Sequence, residues 1–163
     1  NVGIGICQGM MPLVAYNYTA RNRQRMEDTV RLARRTGLLV AAVSILLYEL
    51  FAVQFAHLFI ADAQTVELAS QFLRIRVLAT PLMFMSFFTV YLFQALGQGR
   101  IALFLGVTRW LVLNIPMLFL LNALVGMFGL VWAQAVADSL TVLLSLYVYR
   151  RFRRSARYVR QLA

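Results

Sequence analysis

A chain of 163 residues that is 61% hydrophobic and only 13% charged has about half the charged share of an ordinary soluble domain. Its net charge of +10 raises the question of nucleic-acid binding, which needs basic residues gathered on a solvated face. All of its basic residues are arginines set in short blocks between apolar runs. That is how membrane loops are charged, and it excludes a nucleic-acid partner.

The chain opens Asn1-Val2-Gly3-Ile4, already apolar, with no basic n-region and no small-residue cleavage site of a signal peptide. It reads as a helix entered partway and predicts a piece of a longer protein. A bilayer-spanning helix needs roughly 20 mostly apolar residues. Five segments fit, the first of them shortened: 2–18, 36–56, 72–96, 101–121 and 127–149. They are longer and more continuous than the alternating strands, about 10 residues each, of a membrane barrel. The fold class expected is therefore an all-α integral membrane protein of about five transmembrane helices, one unit over residues 1–163, with a basic tail at 150–163.

In the first segment Gly5 and Gly9 are spaced for close helix packing. Gln8 precedes Gly9, and Pro12 follows one turn later, where it frees a backbone carbonyl and favours a kink. Cavity lining and ordinary packing are both open readings for this pair. The next connection carries Arg21, Arg23, Arg25, Arg31, Arg34 and Arg35 against Glu27 and Asp28. From Gln24 onward it predicts an amphipathic helix lying on the membrane surface. In the second segment Glu49 reads either as an interfacial residue with a polar neighbour or as a protonatable coupling group. The connection 57–71 has Asp62 and Glu67 and no arginine; His57 there lacks the partners of a metal site and reads as interfacial.

The third segment runs from Arg74 and Arg76 through Pro81 to Met83, Phe84, Phe87, Phe88 and Tyr91. Phe84, Phe88 and Tyr91 share one helical face. Arg74 and Arg76 lie near the outer start of this helix, where arginine snorkels to an interface. A glycine turn bearing Arg100 leads to the fourth segment. There Arg109 lies roughly 13 Å from the turn, and in the fifth segment Asp138 lies roughly 18 Å before Arg150. The two helices are antiparallel neighbours, and the similar depths predict an Arg109–Asp138 ion pair. Basic connections alternate with neutral or acidic ones, so the positive-inside rule turns the first helix inward and leaves the C-terminus cytoplasmic.

No catalytic triad, paired catalytic carboxylates or phosphate-cradling loop is present, so no enzyme and no cofactor is expected. The run Gln8-Gly9-Met10-Met11-Pro12-Leu13, then Tyr16-Asn17-Tyr18, Ala20 and Asn22, resembles the QG..PL.GYNYGA.N motif of multidrug and toxic compound extrusion (MATE) transporters. It lies closest to the MepA-like branch. Ala15 and Thr19 replace the motif's two later glycines. Thr108-Arg109-Trp110 with Ile115-Pro116 is similar to the family's RQ....IP segment. Gly129-Leu130-Val131-Trp132-Ala133 with Ala137-Asp138 is similar to its G.VW.A.PIAD segment.

The resemblance implies twelve helices in two six-helix lobes, this chain forming helices eight to twelve of the C-terminal lobe. It implies proton- or sodium-coupled export of cationic or amphipathic drugs across the inner (plasma) membrane. The partners are then the bilayer, the drugs and the missing N-terminal lobe. Drug contact falls to Gln8, Phe84, Phe88 and Tyr91 facing a central cavity, and Pro12, Asn17, Arg109, Pro116 and Asp138 take structural roles. A flippase of the same superfamily and a non-transporting scaffold are the alternatives. The stretch Met83–Phe88 lacks the carboxylate that some members carry on their tenth helix. The coupling carboxylate is expected in the absent lobe.

Overall fold

The structure is a computed structural model that describes residues 2–58 and 62–154. Arg157 and Arg160, expected in the basic tail, lie outside the described residues. Six helices follow one another: α1 (Val2–Thr19), α2 (Arg23–His57), α3 (Ala63–Leu78), α4 (Thr80–Ala95), α5 (Gly99–Val125) and α6 (Met127–Arg153). No strand occurs among the described residues.

The helix α1 runs unbroken past Pro12. It ends at Thr19, and in the turn that follows Arg21 takes a left-handed backbone (φ 57°). Asn22 then caps α2, its side-chain oxygen accepting from the Arg25 amide at 3.2 Å. From this cap α2 continues for 35 residues, about 52 Å. The separate surface helix expected at Gln24 is therefore the first part of α2. Arg23, Gln24, Arg25, Met26 and Glu27 are good helix formers, and no breaker intervenes to turn the chain aside.

The helix α2 is small-residued inside and large-residued outside. Ala33, Gly37, Ala41, Ala52 and Ala56 are buried, whereas Leu39, Leu46 and Leu50 are more than 60% exposed. Phe119 and Leu124 of α5 likewise face outward. Small residues let helix backbones approach, and large apolar residues meet lipid, which is the packing logic of a membrane bundle.

The expected third span starts nine residues early and is broken. Asp62 caps α3, and α3 and α4 meet at Ala79 with a bend of 44°. Pro81 has no N–H to return to the Val77 carbonyl, so the ladder lapses there. The expected fourth span is α5, whose middle, Thr108–Asn114, is π-helical. The widening immediately precedes Pro116, whose missing amide leaves the Val112 carbonyl without its usual donor.

Among the described residues, α2 and α5 are each long and apolar enough to cross a membrane, and the bent pair α3–α4 is long and apolar enough when taken as one span. Sequence patterning gave five. The two remaining segments are helical as well, forming α1 and α6.

At the centre lies α4, packed against α1, α2, α5 and α6. Tyr18, Met26, Leu92, Phe93, Leu96, Ala102 and Phe152 form the core where the basic ends of the helices converge. There Glu27 bonds both Arg23 (3.0 Å) and Arg153 (3.2 Å), tying the start of α2 to the end of α6.

Candidate functional site

Two polar residues sit where the bundle is otherwise apolar. The π-helical stretch of α5 turns Arg109 inward until it is 4% exposed, and Asp138 of α6 is 1% exposed. Arg109 Nε donates to Asp138 Oδ1 at 2.8 Å. The guanidinium lies over the Phe87 ring at 4.2 Å and near the Trp110 ring at 5.2 Å. Aromatic faces attract a cation, most of all where water is absent. The close approach of α5 and α6 depends on Gly129, where any Cβ would run into the Leu121 carbonyl.

The pair is incompletely satisfied. Arg109 Nη1 and Asp138 Oδ2 are buried without a hydrogen-bond partner among the described residues, as are Ser86 Oγ and Ser145 Oγ. Asp138 borders a cavity of about 280 Å³ between α2, α3, α4 and α6. Arg76 and Gln134 line it too, and Arg76 Nη1 donates to Gln134 Oε1 at 2.5 Å. Patterning along the chain set Arg76 aside as a snorkelling residue. Its side chain, still exposed, reaches a partner 58 positions away in the sequence.

The four residues expected to contact drug take different places. Gln8 is exposed on α1 and donates from Nε2 to the Tyr91 hydroxyl at 3.5 Å. Phe88 is 3% exposed and belongs to the core. Phe84 is a wedge: a Cβ on Gly37 would collide with its ring, and one on Gly3 would stand 3.1 Å from it. Its other side borders an apolar cavity of about 150 Å³ with Met83 and Phe87. The structure thus brings Gln8 to Tyr91 and Phe84 to Phe88, whose ring centroids are 5.7 Å apart, but opens neither phenylalanine broadly to a cavity.

Asn17 donates its side-chain amide to the Leu13 carbonyl at 2.8 Å, and its own carbonyl receives the Asn22 amide. The motif's asparagines therefore hold the α1–α2 turn. Glu49 lies 3.8 Å from Arg74, both half-exposed. Gly5 and Gly9 have open space around them rather than a neighbouring helix. No group of three metal-binding side chains occurs among the described residues.

An all-helical, outwardly apolar bundle with a buried ion pair beside a cavity fits a membrane-embedded protein. Comparison makes this specific. The MatE family profile matches residues 2–120. Multidrug export protein MepA of Staphylococcus aureus (strain MSSA476) is 30% identical over 145 residues, covering 89% of this chain and 32% of that protein. Its counterpart in Staphylococcus haemolyticus (strain JCSC1435) shows the same identity and coverage. A solved inward-facing multidrug resistance MATE family transporter of the MOP superfamily superposes with a TM-score of 0.80 at 21% identity, over 93% of this chain and 36% of that one. The chain belongs to the MatE family. It spans about a third of the length of the relatives it matches.

Proposed function

We propose that this chain is part of a secondary transporter that exports cationic or amphipathic compounds in exchange for protons or sodium ions. The observation that carries the reading is the membership of the MatE family over residues 2–120. The structure supports it with a charged pair held inside an apolar bundle beside a cavity. Charged groups inside a membrane bundle are costly and usually mark a transport path.

The basic residues of the α1–α2 turn and the end of α6 converge at one end, where Glu27 links them. This supports a plasma-membrane protein with that end, and the C-terminus, cytoplasmic. Alternating access needs two repeats moving against each other. The chain would then work only with a second lobe.

The test is efflux of ethidium from proteoliposomes holding the full-length protein. Export is expected to stop when either the proton or the sodium gradient is selectively dissipated, and the effective one names the ion. Export that persists without both gradients, or no export at all, rejects the reading.

A further inference from the structure

The end of the bundle where the basic residues converge holds a separate cavity, of about 160 Å³, between α2, α4 and α6. Arg31 and Arg34 of α2 and Arg153 of α6 line it, above an apolar floor of Leu92 and Leu96 from α4. Glu27 is the one carboxylate among its described lining residues.

The charges around this cavity do not cancel. Glu27 accepts from Arg23 at 3.0 Å and from Arg153 at 3.2 Å, so a single carboxylate serves two guanidinium groups. Arg31 has Asp28 at 3.2 Å, but both side chains are more than half exposed, and a pair in that setting contributes little. Arg34 has no ion pair among the described residues. Arg23, Arg31, Arg34 and Arg153 thus meet Glu27 and Asp28, which leaves two positive charges in excess. Like charges gathered around a cavity repel, and an anion placed between them is attracted by all of them.

The position and the donors say which anion. Arg34 lies two residues before Thr36, where the long apolar run of α2 begins. Further along the helix, Leu39, Leu46 and Leu50 face outward. The cavity therefore lies at the depth of the lipid headgroups, where basic pockets between helices take acidic phosphates. Guanidinium groups match phosphate oxygens in a planar, two-pronged geometry. The Tyr149 ring, 5.9 Å from the Arg153 guanidinium, helps to hold that donor in place. The volume equals about five water-sized spaces, enough for the phosphorus and oxygens of one phosphate group.

We propose that this cavity binds a phosphate group, with Arg31 and Arg34 of α2 and Arg153 of α6 donating to its oxygens. The bound phosphate joins α2 to α6 beside the Glu27 bridge. Two sources supply this chemistry, the headgroup of an acidic phospholipid and a soluble phosphate ester.

The test uses the full-length protein, freed of lipid in dodecyl maltoside, in ammonium acetate of physiological ionic strength. Native mass spectrometry gives the dissociation constants of dioleoylphosphatidylglycerol, dioleoylphosphatidylcholine and glycerophosphate. Phosphatidylglycerol is expected to bind more tightly than phosphatidylcholine, because choline adds a cation to a site already in positive excess. Arg34→Gln should weaken the binding about tenfold, the loss of one charge-assisted hydrogen bond. Arg35→Gln removes the same charge from a neighbour that does not line the cavity, and should leave the binding close to that of the parent protein. Both arginines are exposed, so both variants keep the fold.

Tighter binding of phosphatidylglycerol than of glycerophosphate identifies the lipid as the source, and the reverse identifies a soluble ester. Equal binding of the two lipids with no binding of glycerophosphate overturns the proposal. So does an equal loss in Arg34→Gln and Arg35→Gln, since a diffuse basic surface answers to both changes alike.

Discussion

Arg109 and Asp138 meet at 2.8 Å although they lie 29 positions apart and both are almost wholly buried. Both side chains are almost wholly shielded from solvent. Each charge is tolerable there because the other is present, and the aromatic rings of Phe87 and Trp110 cover the guanidinium.

Removing one partner should therefore hurt far more than removing both. Arg109→Leu or Asp138→Leu alone is expected to destabilise the protein by about 3–5 kcal/mol, since the remaining charge is buried unpaired. The double variant should regain most of that loss, because apolar side chains can fill the site at little cost. Thermal unfolding of the four purified full-length proteins gives the cycle. Additive single effects would show that the two residues act independently.

The contact between Phe84 and Gly37 makes a second prediction. Gly37 is the point at which α2 passes over the Phe84 ring with no room for a side chain. Gly37→Val should cost about 1–3 kcal/mol through overpacking. Adding Phe84→Leu should return a large part of it by freeing the space. If the double variant is no more stable than Gly37→Val, the clash lies elsewhere.

Much of this was open to reading along the chain. The helical class, the positions of the apolar runs and the depth match of Arg109 with Asp138 follow from periodicity and rise per residue. The asparagines of the first motif also stand in the turn where the motif places them. What patterning missed depends on contacts made across the bundle. Continuity of α2 through its arginines hides because a charged helix on the surface and a charged end of a long helix have the same local sequence. The bond from Arg76 to Gln134 could not be read from spacing, because the two are distant in sequence. Phe84 and Phe88 share a face as expected, Phe84 bordering a cavity and Phe88 packing in the core, a division that spacing alone does not make. The π-helical turn left only Pro116 as its trace, and proline alone announces a kink as readily as a widened turn.

Asp62 gives a prediction in pH. It caps α3, accepting from the Thr65 amide at 2.9 Å and from the Thr65 hydroxyl at 2.6 Å. These hydrogen bonds favour the carboxylate and hold it below its ordinary value. A lowered folded value means that the cap stabilises α3 fully above the ordinary aspartate pKa of about 3.9. The contribution is lost as pH falls through the lower, folded value. The Thr65 amide resonance should titrate with a midpoint below that of free aspartate. Asp62→Asn should keep the cap, since asparagine is as good an N-cap, and abolish the titration. A midpoint at or above the ordinary value would mean that the cap does not form in the membrane-embedded protein.

Arg76 stands three residues before the junction of α3 and α4, and the cause of the bend there can be isolated. Pro81 is the only residue near Ala79 that cannot donate an amide, and the carbonyl that loses its usual α-helical donor is that of Val77. The Ala79 amide instead closes a tighter turn onto the Arg76 carbonyl at 3.2 Å. Pro81→Ala restores the missing donor and should let the two helices run on as one. Spin labels at the exposed positions Glu67 and Gln94 flank the bend. Straightening 44° between arms of this length moves the labels apart by about 3 Å. The same variant should weaken the Arg76–Gln134 contact, because Arg76 rides on the arm that swings. An unchanged label distance would assign the bend to packing of α3 against α2 and α6 rather than to proline, and Arg76 would keep its place without it.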